Sequence, residues 1–507
     1  MAAEPGAHQP SRRLAKNTLW NFVGLLAPLP VGIVVIPFLT HRLGADRFGV
    51  LTMTWAVLGY FSVFDLGLGR AVIKFAAQAG ASGEGERSWG AVFGTSLALL
   101  LGLGVLGGGA VALGSAWVAS GGMRIPDALR GEAQTAFLLL ALSMPPMIVA
   151  SAPMGLLAAS GRFDVLNLIR LPLTVFLFVG PAAVALLTVR LPAVVGVMVA
   201  SRYVALALNL WFCGRVSPGL WRRLHFDRAL VRPLLGFGGW LTLIQVVSPL
   251  MVNLDRLLVG ALVSSAAVTY YATPSEALTR LWGVPSAVVG VLFPAFAATF
   301  LVDRKQAAAL YERGVKFIYV LLLPVLLAAV LFAPEALGAW LGGDFPARST
   351  LVMQLVAVGV FVYSLNHVPA EMINAAGRPS FTARARVVEL VAFLPLAWLL
   401  ITRLGIRGAA IAWLLRVVVD TGVLFAGSHR LLGSPRASGR RILAAATLGL
   451  GAMLVGCLPA PLALRLGYFV LVCTLMTYTV FNFWLDAAER ASIGDGIRRV
   501  LRWQSAS

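Results

Sequence analysis

At 507 residues, with 59% hydrophobic and 12% charged side chains, the chain is too apolar for a soluble enzyme, which carries roughly 25% charged residues. Its net charge of +20 would suit nucleic acid, but the basic residues are sorted by loop and not gathered in one patch, which argues against that partner. The three cysteines, Cys213, Cys457 and Cys473, have no metal or redox spacing, and no G-x-x-x-x-G-K-[ST] phosphate loop is present.

About fourteen stretches are long and apolar enough to cross a bilayer, which takes ~20 residues of helix. They fall at 19–40, 48–69, 90–118, 135–158, 166–188, 192–213, 237–263, 270–299, 317–333, 350–373, 387–402, 408–427, 442–463 and 466–485. In lipid a helix satisfies its own backbone polar groups, so these runs predict an all-α polytopic membrane protein. The first run is too long for a signal-peptide core and reads as an uncleaved helix. No connecting loop is long enough to hold a catalytic domain. The largest exposed pieces are 70–89, 119–134, 214–236 and the tail after 486. No catalytic residue, metal site or cofactor is expected.

Alternate loops differ in charge. With the N-terminus placed in the cytoplasm, the cytoplasmic segments hold 27 of the 41 Lys and Arg, the opposite loops hold 9, and 5 lie inside spans. This is the positive-inside pattern, and it places both termini in the cytoplasm with an even number of spans. Anionic lipid would reinforce it.

An offset of 220 residues aligns the two halves faintly. Trp20 falls on Trp240, Pro28 and Pro30 bracket the position matched by Pro249, and Arg42–Phe48 falls on Leu262–Val268. Interrupted helices at matching places in two halves point to a transporter's central site. The expected division is a cytoplasmic tail (1–18), an N-lobe of six spans (19–213), a basic linker (214–236), a C-lobe of six spans (237–427), two further spans (428–485) and a C-terminal tail (486–507). Pro28, Pro30 and Pro37, with Gly24 and Gly32, give span one sites for a kink, either fixed or mobile during gating.

Charges inside spans are the best functional clues, because a mid-bilayer charge costs ~2.5–3.5 kcal/mol on insertion scales. Arg202 has no acidic residue within a helical turn, so it either lines a polar cavity or bonds another helix. Arg170, near a span end, can snorkel. Asp255 and Arg256 are adjacent, roughly 100° apart on a helix, so at least one must face another element. Glu276–Arg280 and Arg416–Asp420 share the i, i+4 spacing. Each pair is either internally neutral or a switch in which the carboxylate releases its arginine on protonation or ion binding. Glu371 with His367, and Glu389 with Arg386, lie nearer the rim. Converging arginines suit an anionic headgroup, since guanidinium binds phosphate bidentately and keeps its charge when buried. Trp20, Trp55, Trp240, Trp282 and Tyr270–Tyr271 either stack on sugars or serve as packing and interfacial anchors.

The stretch from Asn17 through Phe75 carries a Trp-Asn start, P-x-L-x-x-x-L-G ending at Leu43–Gly44, then Phe48–Gly49 and Asp65-Leu-Gly-Leu-Gly69. Asn253 to Ala297 adds DRLLVG, Tyr270–Tyr271, Pro274 and LFPAFA. These segments resemble bacterial O-antigen and exopolysaccharide repeat-unit flippases of the MATE-like MOP superfamily. The resemblance implies two six-helix lobes in MATE-like arrangement plus two C-terminal helices, in the bacterial inner membrane. It implies a flippase for undecaprenyl-pyrophosphate-linked oligosaccharide, working by alternating access with H+ or Na+ coupling in some members. Polysaccharide polymerase and assembly machinery would be partners. Arg202, Arg256, Arg280 and Arg416 would then meet pyrophosphate or glycan. Asp255, Glu276 and Asp420 would be ion-coupling candidates, and Pro28, Pro30 and Pro249 gating positions. Asp65 is expected to bond backbone or a neighbouring arginine. A multidrug or cation antiporter of the same superfamily, a lipid II flippase, and a polytopic glycosyltransferase or polymerase are the rivals. The span-two signature of the lipid II family is not seen, and the outward loops are short for an enzyme.

Overall fold

In a computed structural model, described for residues 28–61, 65, 67–69, 71–73, 75, 85–160, 162–237, 251, 253–300, 302–433 and 436–484, every regular element is a helix. In chain order these are α1 (Pro28–Phe61), α2 (Gly85–Ala119), α3 (Asp127–Val149), α4 (Ser151–Ala159), α5 (Phe163–Leu187), α6 (Leu191–Val216), α7 (Arg228–Phe237), α8 (253–262), α9 (Ser265–Thr279), α10 (Gly283–Thr299), α11 (Arg304–Leu331), α12 (Ala333–Trp340), α13 (Phe345–Ala375), α14 (Pro379–Leu404), α15 (Ile406–Leu432), α16 (Arg436–Gly456) and α17 (Leu462–Thr479). Among the described residues, nine helical stretches are long and apolar enough to span a membrane. Trp20, Trp240 and Pro249 lie outside the described residues.

Several boundaries differ from the sequence reading, each for a local reason. α1 joins the described parts of both predicted spans, 28–40 and 48–61, through the expected loop between them, but its backbone leaves helical geometry at Gly44, with φ 77° and ψ 162°. That region is open essentially to glycine alone, so Leu43–Gly44 carries the break. Pro37 sits inside helical backbone. α3 begins at Asp127, so the expected loop 119–134 shrinks to 120–126. An Arg130–Asp127 ion pair of 2.8 Å at i, i+3 supports that early turn. α11 starts at Arg304, because Asp303 Oδ1 caps it by accepting from the Lys305 and Gln306 N–H groups at 2.9 and 3.0 Å. Span eight is not one helix. A 3-10 turn at Arg280–Trp282 separates α9 from α10. Pro285 has no N–H to give Leu281, and its ring crowds that carbonyl. α16 stops at Gly456, ahead of Pro459 and Pro461.

The helices gather into two compact units, one within Met1–Gly283 and Ser380–Arg416, the other within Val284–Pro379 and Val417–Ser507. In the first unit, small residues let helices approach closely. A Cβ on Gly104 of α2 would lie 2.6 Å from the Pro145 Cα, and one on Gly108 2.9 Å from the Ala141 carbonyl oxygen. Small-residue faces of this kind are how membrane helices gain packing energy without a hydrophobic drive. The core on this side holds Leu68, Phe93, Leu100, Leu156 and Cys213.

The two segments aligned by the 220-residue offset touch within this unit. Ser265 Oγ donates to Asp46 Oδ1, and Thr269 Oγ1 donates to the Ala45 carbonyl, both at 2.6 Å. Gly49 lies so close that a Cβ would stand 1.8 Å from the Ser265 carbonyl oxygen. Arg47 forks onto Glu132 at 3.2 and 3.1 Å. Asp65 holds backbone, its two oxygens accepting from the Gly67 and Gly69 N–H groups at 3.0 Å.

In the second unit, α11, α13 and α16 pack around Tyr311, Leu322, Leu326, Val356 and Phe361, all essentially buried. α17 is pinned by Arg465, which donates to both Glu335 oxygens at 2.9 and 2.6 Å and to the Leu331 carbonyl at 2.6 Å. That guanidinium holds the Glu335 carboxyl below the usual carboxylate range. A carboxyl depressed in the folded state adds stability that is full above its unfolded value, about 4.3, and fades as pH falls through the lower folded value. Glu335 is half-exposed, so the contribution is about 1 kcal/mol or less. Glu335→Gln is expected to lower Tm slightly at pH 7, and the gap from wild type should close below about pH 4. A gap that persists in acid would assign the effect to packing.

Candidate functional site: a buried network of arginines and carboxylates

Six intramembrane charges of the first unit lie on α8, α9, α14 and the first half of α15: Asp255, Arg256, Glu276, Arg280, Glu389 and Arg416. Asp255 and Arg256 follow each other on α8 and diverge as helical geometry requires. Asp255, 5% exposed, turns its carboxylate to the buried Tyr271 of α9, whose hydroxyl donates to Oδ2. Its other oxygen accepts from the Arg256 N–H at 2.9 Å. Arg256, 8% exposed, sends Nη2 to Glu276 Oε2 at 2.7 Å. Arg280 reaches the same carboxylate from one turn away, donating through Nη2 to Oε1. Glu276 is therefore held between two guanidiniums, one from each helix. The i, i+4 pairing read from the sequence is present, and the Arg256 contact is an addition.

Arg280 is the more open of the two, with about a third of its side chain exposed. It begins the 3-10 turn, where the helix gives way, and its guanidinium lies 5.6 Å from the centre of the Phe178 ring. Trp55 leans on that ring at 5.3 Å and meets Phe48 edge-on at 6.0 Å. The Trp55 Nε1 is buried and has no hydrogen-bond partner among the described residues. A buried donor left this way is costly, and it is rare outside sites that use it.

Arg416 does not follow the pairing its spacing suggested. Its Nη1 donates to Glu389 Oε1 on α14 at 3.2 Å, with both side chains under 10% exposed. The guanidinium stacks over Phe393 at 5.4 Å. Glu389, expected nearer the rim, is a buried partner in the network. The Arg416 charge acts on Asp255 and Tyr271 as well. Asp420 belongs to the other unit, where its Oδ2 accepts from Asn366 Nδ2 of α13 at 2.7 Å. A neighbouring helix supplies the partner in each case, which helical spacing alone does not reveal.

Arg202 lies half-buried on α6, and its Nε has no hydrogen-bond partner among the described residues. Arg170 is exposed on α5. On α13, His367 Nδ1 lies 3.0 Å from the Tyr363 carbonyl, and Asn374 donates to Glu371 at 3.5 Å. Pro28 opens the described part of α1, with the exposed Pro30 two residues on. Glu389, Phe178, Phe393 and the Tyr271–Asp255 bond were not legible as site features. The Phe residues carry no sequence signal, being two of 27.

In charge terms Arg256, Arg280 and Arg416 balance Asp255, Glu276 and Glu389. Such a network is neutral while every carboxylate is ionised. It becomes net positive, and able to take an anion, when one carboxylate is protonated or drawn away.

Many apolar spans, helices broken at Gly44 and Arg280, and ion pairs buried between helices define a multi-pass membrane protein with a charged interior. Solved structures share this fold. A MATE-family multidrug transporter of the MOP superfamily, in an inward-facing conformation, aligns with 84% of this chain and 99% of its own at TM-score 0.66 and 16% identity. A lipid II flippase in an inward-closed conformation aligns with 92% of this chain and 98% of its own at TM-score 0.64 and 12% identity. The chain belongs to the polysaccharide biosynthesis protein family, whose sequence profile matches residues 39–349. It is 27% identical over 414 residues, 81% of this chain and 96% of the relative, to a Shigella flexneri protein described as "Putative O-antigen transporter". It is also 24% identical over 416 residues, 80% of this chain and 82% of the relative, to a Haloferax volcanii protein described as "Probable low-salt glycan biosynthesis flippase Agl15".

Proposed function

We propose that the protein is a flippase that moves undecaprenyl-pyrophosphate-linked oligosaccharide repeat units across a bacterial inner membrane by alternating access. The carrying observation is Glu276 clamped between Arg256 and Arg280 inside a chain of the polysaccharide biosynthesis family. A pyrophosphate needs guanidiniums, and here they are held in reserve by carboxylates. Protonation or ion binding at Glu276 or Asp255 would free positive charge for the incoming anion, so H+ or Na+ coupling fits this arrangement. Asp420, which accepts from Asn366, would be a separate ion-coupling candidate. Arg202 and Arg416 would complete the anion path. Trp55 would offer its indole N–H and face to a sugar.

The reading includes the full topology: fourteen spans, both termini in the cytoplasm, lobes at 19–213 and 237–427 joined by the basic linker 214–236, and two further spans at 428–485. Pro28, Pro30 and Pro249 would serve gating. Polysaccharide polymerase and assembly proteins would receive the product. The 27-to-9 division of basic residues supports the orientation.

In a deletion strain, complete lipid-linked units should accumulate on the cytoplasmic face and surface polymer should be lost. Complementation with Arg202→Ala or Arg280→Ala, at expression equal to wild type, should restore less than about a tenth of the polymer, since losing one charged contact to a phosphate costs over ~1.4 kcal/mol. Normal polymer from both variants sinks the site assignment. No glycolipid phenotype, with altered drug sensitivity instead, favours an antiporter of the same fold.

A further inference from the structure

α6 ends at Val216, and the chain then passes through a 3-10 turn, Trp221–Arg223, into α7. This strip is clamped against the first turns of the α2 span. Gly90 and Gly94 allow the approach, because a Cβ on Gly90 would lie 2.2 Å from the Arg223 carbonyl oxygen and one on Gly94 2.6 Å from that of His225. The Asp227 N–H donates to Thr95 Oγ1 at 2.9 Å, and Asp227 Oδ1 caps α7 by accepting from the Ala229 N–H at 2.8 Å. Leu220 and Leu234 are fully buried in the core beside Phe93 and Leu157. Trp221 rests on Gly214, where a Cβ would meet its Nε1 at 2.3 Å. The strip is thus a fixed plate and not a free linker.

Its outer side chains are of two kinds. Arg215, Arg222, Arg223, Arg228 and Arg232 are all exposed. Trp221, Phe226 and Leu235 are exposed by 43%, 56% and 43%. Arg215 stacks on the exposed Trp211 at 4.7 Å. The carboxylate of the plate, Asp227, is engaged as a helix cap. The plate stands where one apolar helix ends, at Val216, and another begins, at Trp89, the level at which such spans would reach the headgroups. Arginines interleaved with large apolar side chains at that depth match an acidic lipid surface, phosphate to guanidinium and ring to acyl boundary.

We propose that residues 215–237 form a docking plate for acidic phospholipid headgroups, independent of the cargo the transporter moves. The basic charge here goes beyond orienting the chain. It is held in place by the Gly90–Gly94 contact and binds lipid that stays with the protein.

The test is native mass spectrometry of the purified full chain released from nanodiscs of equal phosphatidylglycerol and phosphatidylcholine. Wild type should retain phosphatidylglycerol in preference. The triple variant Arg222→Gln, Arg228→Gln, Arg232→Gln should lower that ratio at least about threefold, and the matching Lys triple should keep it. Arg403→Gln with Arg407→Gln, two exposed arginines in another loop, should leave it unchanged. About 0.5 M NaCl during exchange should weaken the wild-type preference. If the Gln triple does not fold, Arg222→Gln alone on the 3-10 turn should still lower the ratio. An unchanged ratio in the plate variant, or an equal loss in the Arg403/Arg407 control, overturns the proposal.

Discussion

Glu276→Ala will destabilise the protein strongly. It leaves Arg256, 8% exposed, without the carboxylate that neutralises its side chain, while Arg280 can still turn toward solvent. Removing one member of a buried pair costs about 3–5 kcal/mol, because the other charge remains in low dielectric. A fall of several degrees in Tm is expected in detergent and in nanodiscs. The cost comes from the stranded charge, so Glu276→Ala with Arg256→Met should recover most of it. Under the proposed mechanism that double variant should stay inactive, because the proposed anion ligand and the carboxylate that would release it are both gone. If the single variant is as stable as wild type, the α8–α9 ion pair does not hold these helices. If the double variant is no more stable than the single, the loss is one of packing and not of charge.

Gly49→Ala should be comparably severe for a steric reason. The added methyl would sit 1.8 Å from the Ser265 carbonyl oxygen, a backbone atom that cannot swing aside. α1 would have to move away from α9, loosening the Ser265–Asp46 and Thr269–Ala45 hydrogen bonds. Overpacking of a close backbone contact costs about 3 kcal/mol or more. Gly102→Ala is the matched control. No atom outside its own helix lies within 4 Å of the new Cβ, and α2 is regular there. That change should be neutral or stabilising by about 0.5–1 kcal/mol. Equal Tm values for the two alanine variants would mean that the α1–α9 approach is looser than described. A large loss at Gly49 alone would assign the effect to the close approach of α1 and α9.

The class of protein was legible because lipid imposes it locally. Long apolar runs must be helices, and charge must be sorted across the bilayer, and both rules act within about twenty residues of chain. The Glu276–Arg280 contact was legible for the same reason, since i, i+4 places two side chains on one face of one helix. An interruption between spans one and two was legible, but its narrowing to a single break at Gly44 was not, and backbone was one of two partners expected for Asp65. What stayed hidden depends on the register of one helix against another. Arg256 meets Glu276 from twenty residues away, and Arg416 meets Glu389 across 27. Asp46 meets Ser265 across 219. Helix faces can rotate and slide into many such pairings at similar local cost, and the side-chain packing of all neighbours chooses among them. The sequence by itself therefore determined a polytopic transporter with too many intramembrane charges to be idle. Only the tertiary structure decided that Glu276 serves two arginines at once, and that a basic linker is a rigid plate.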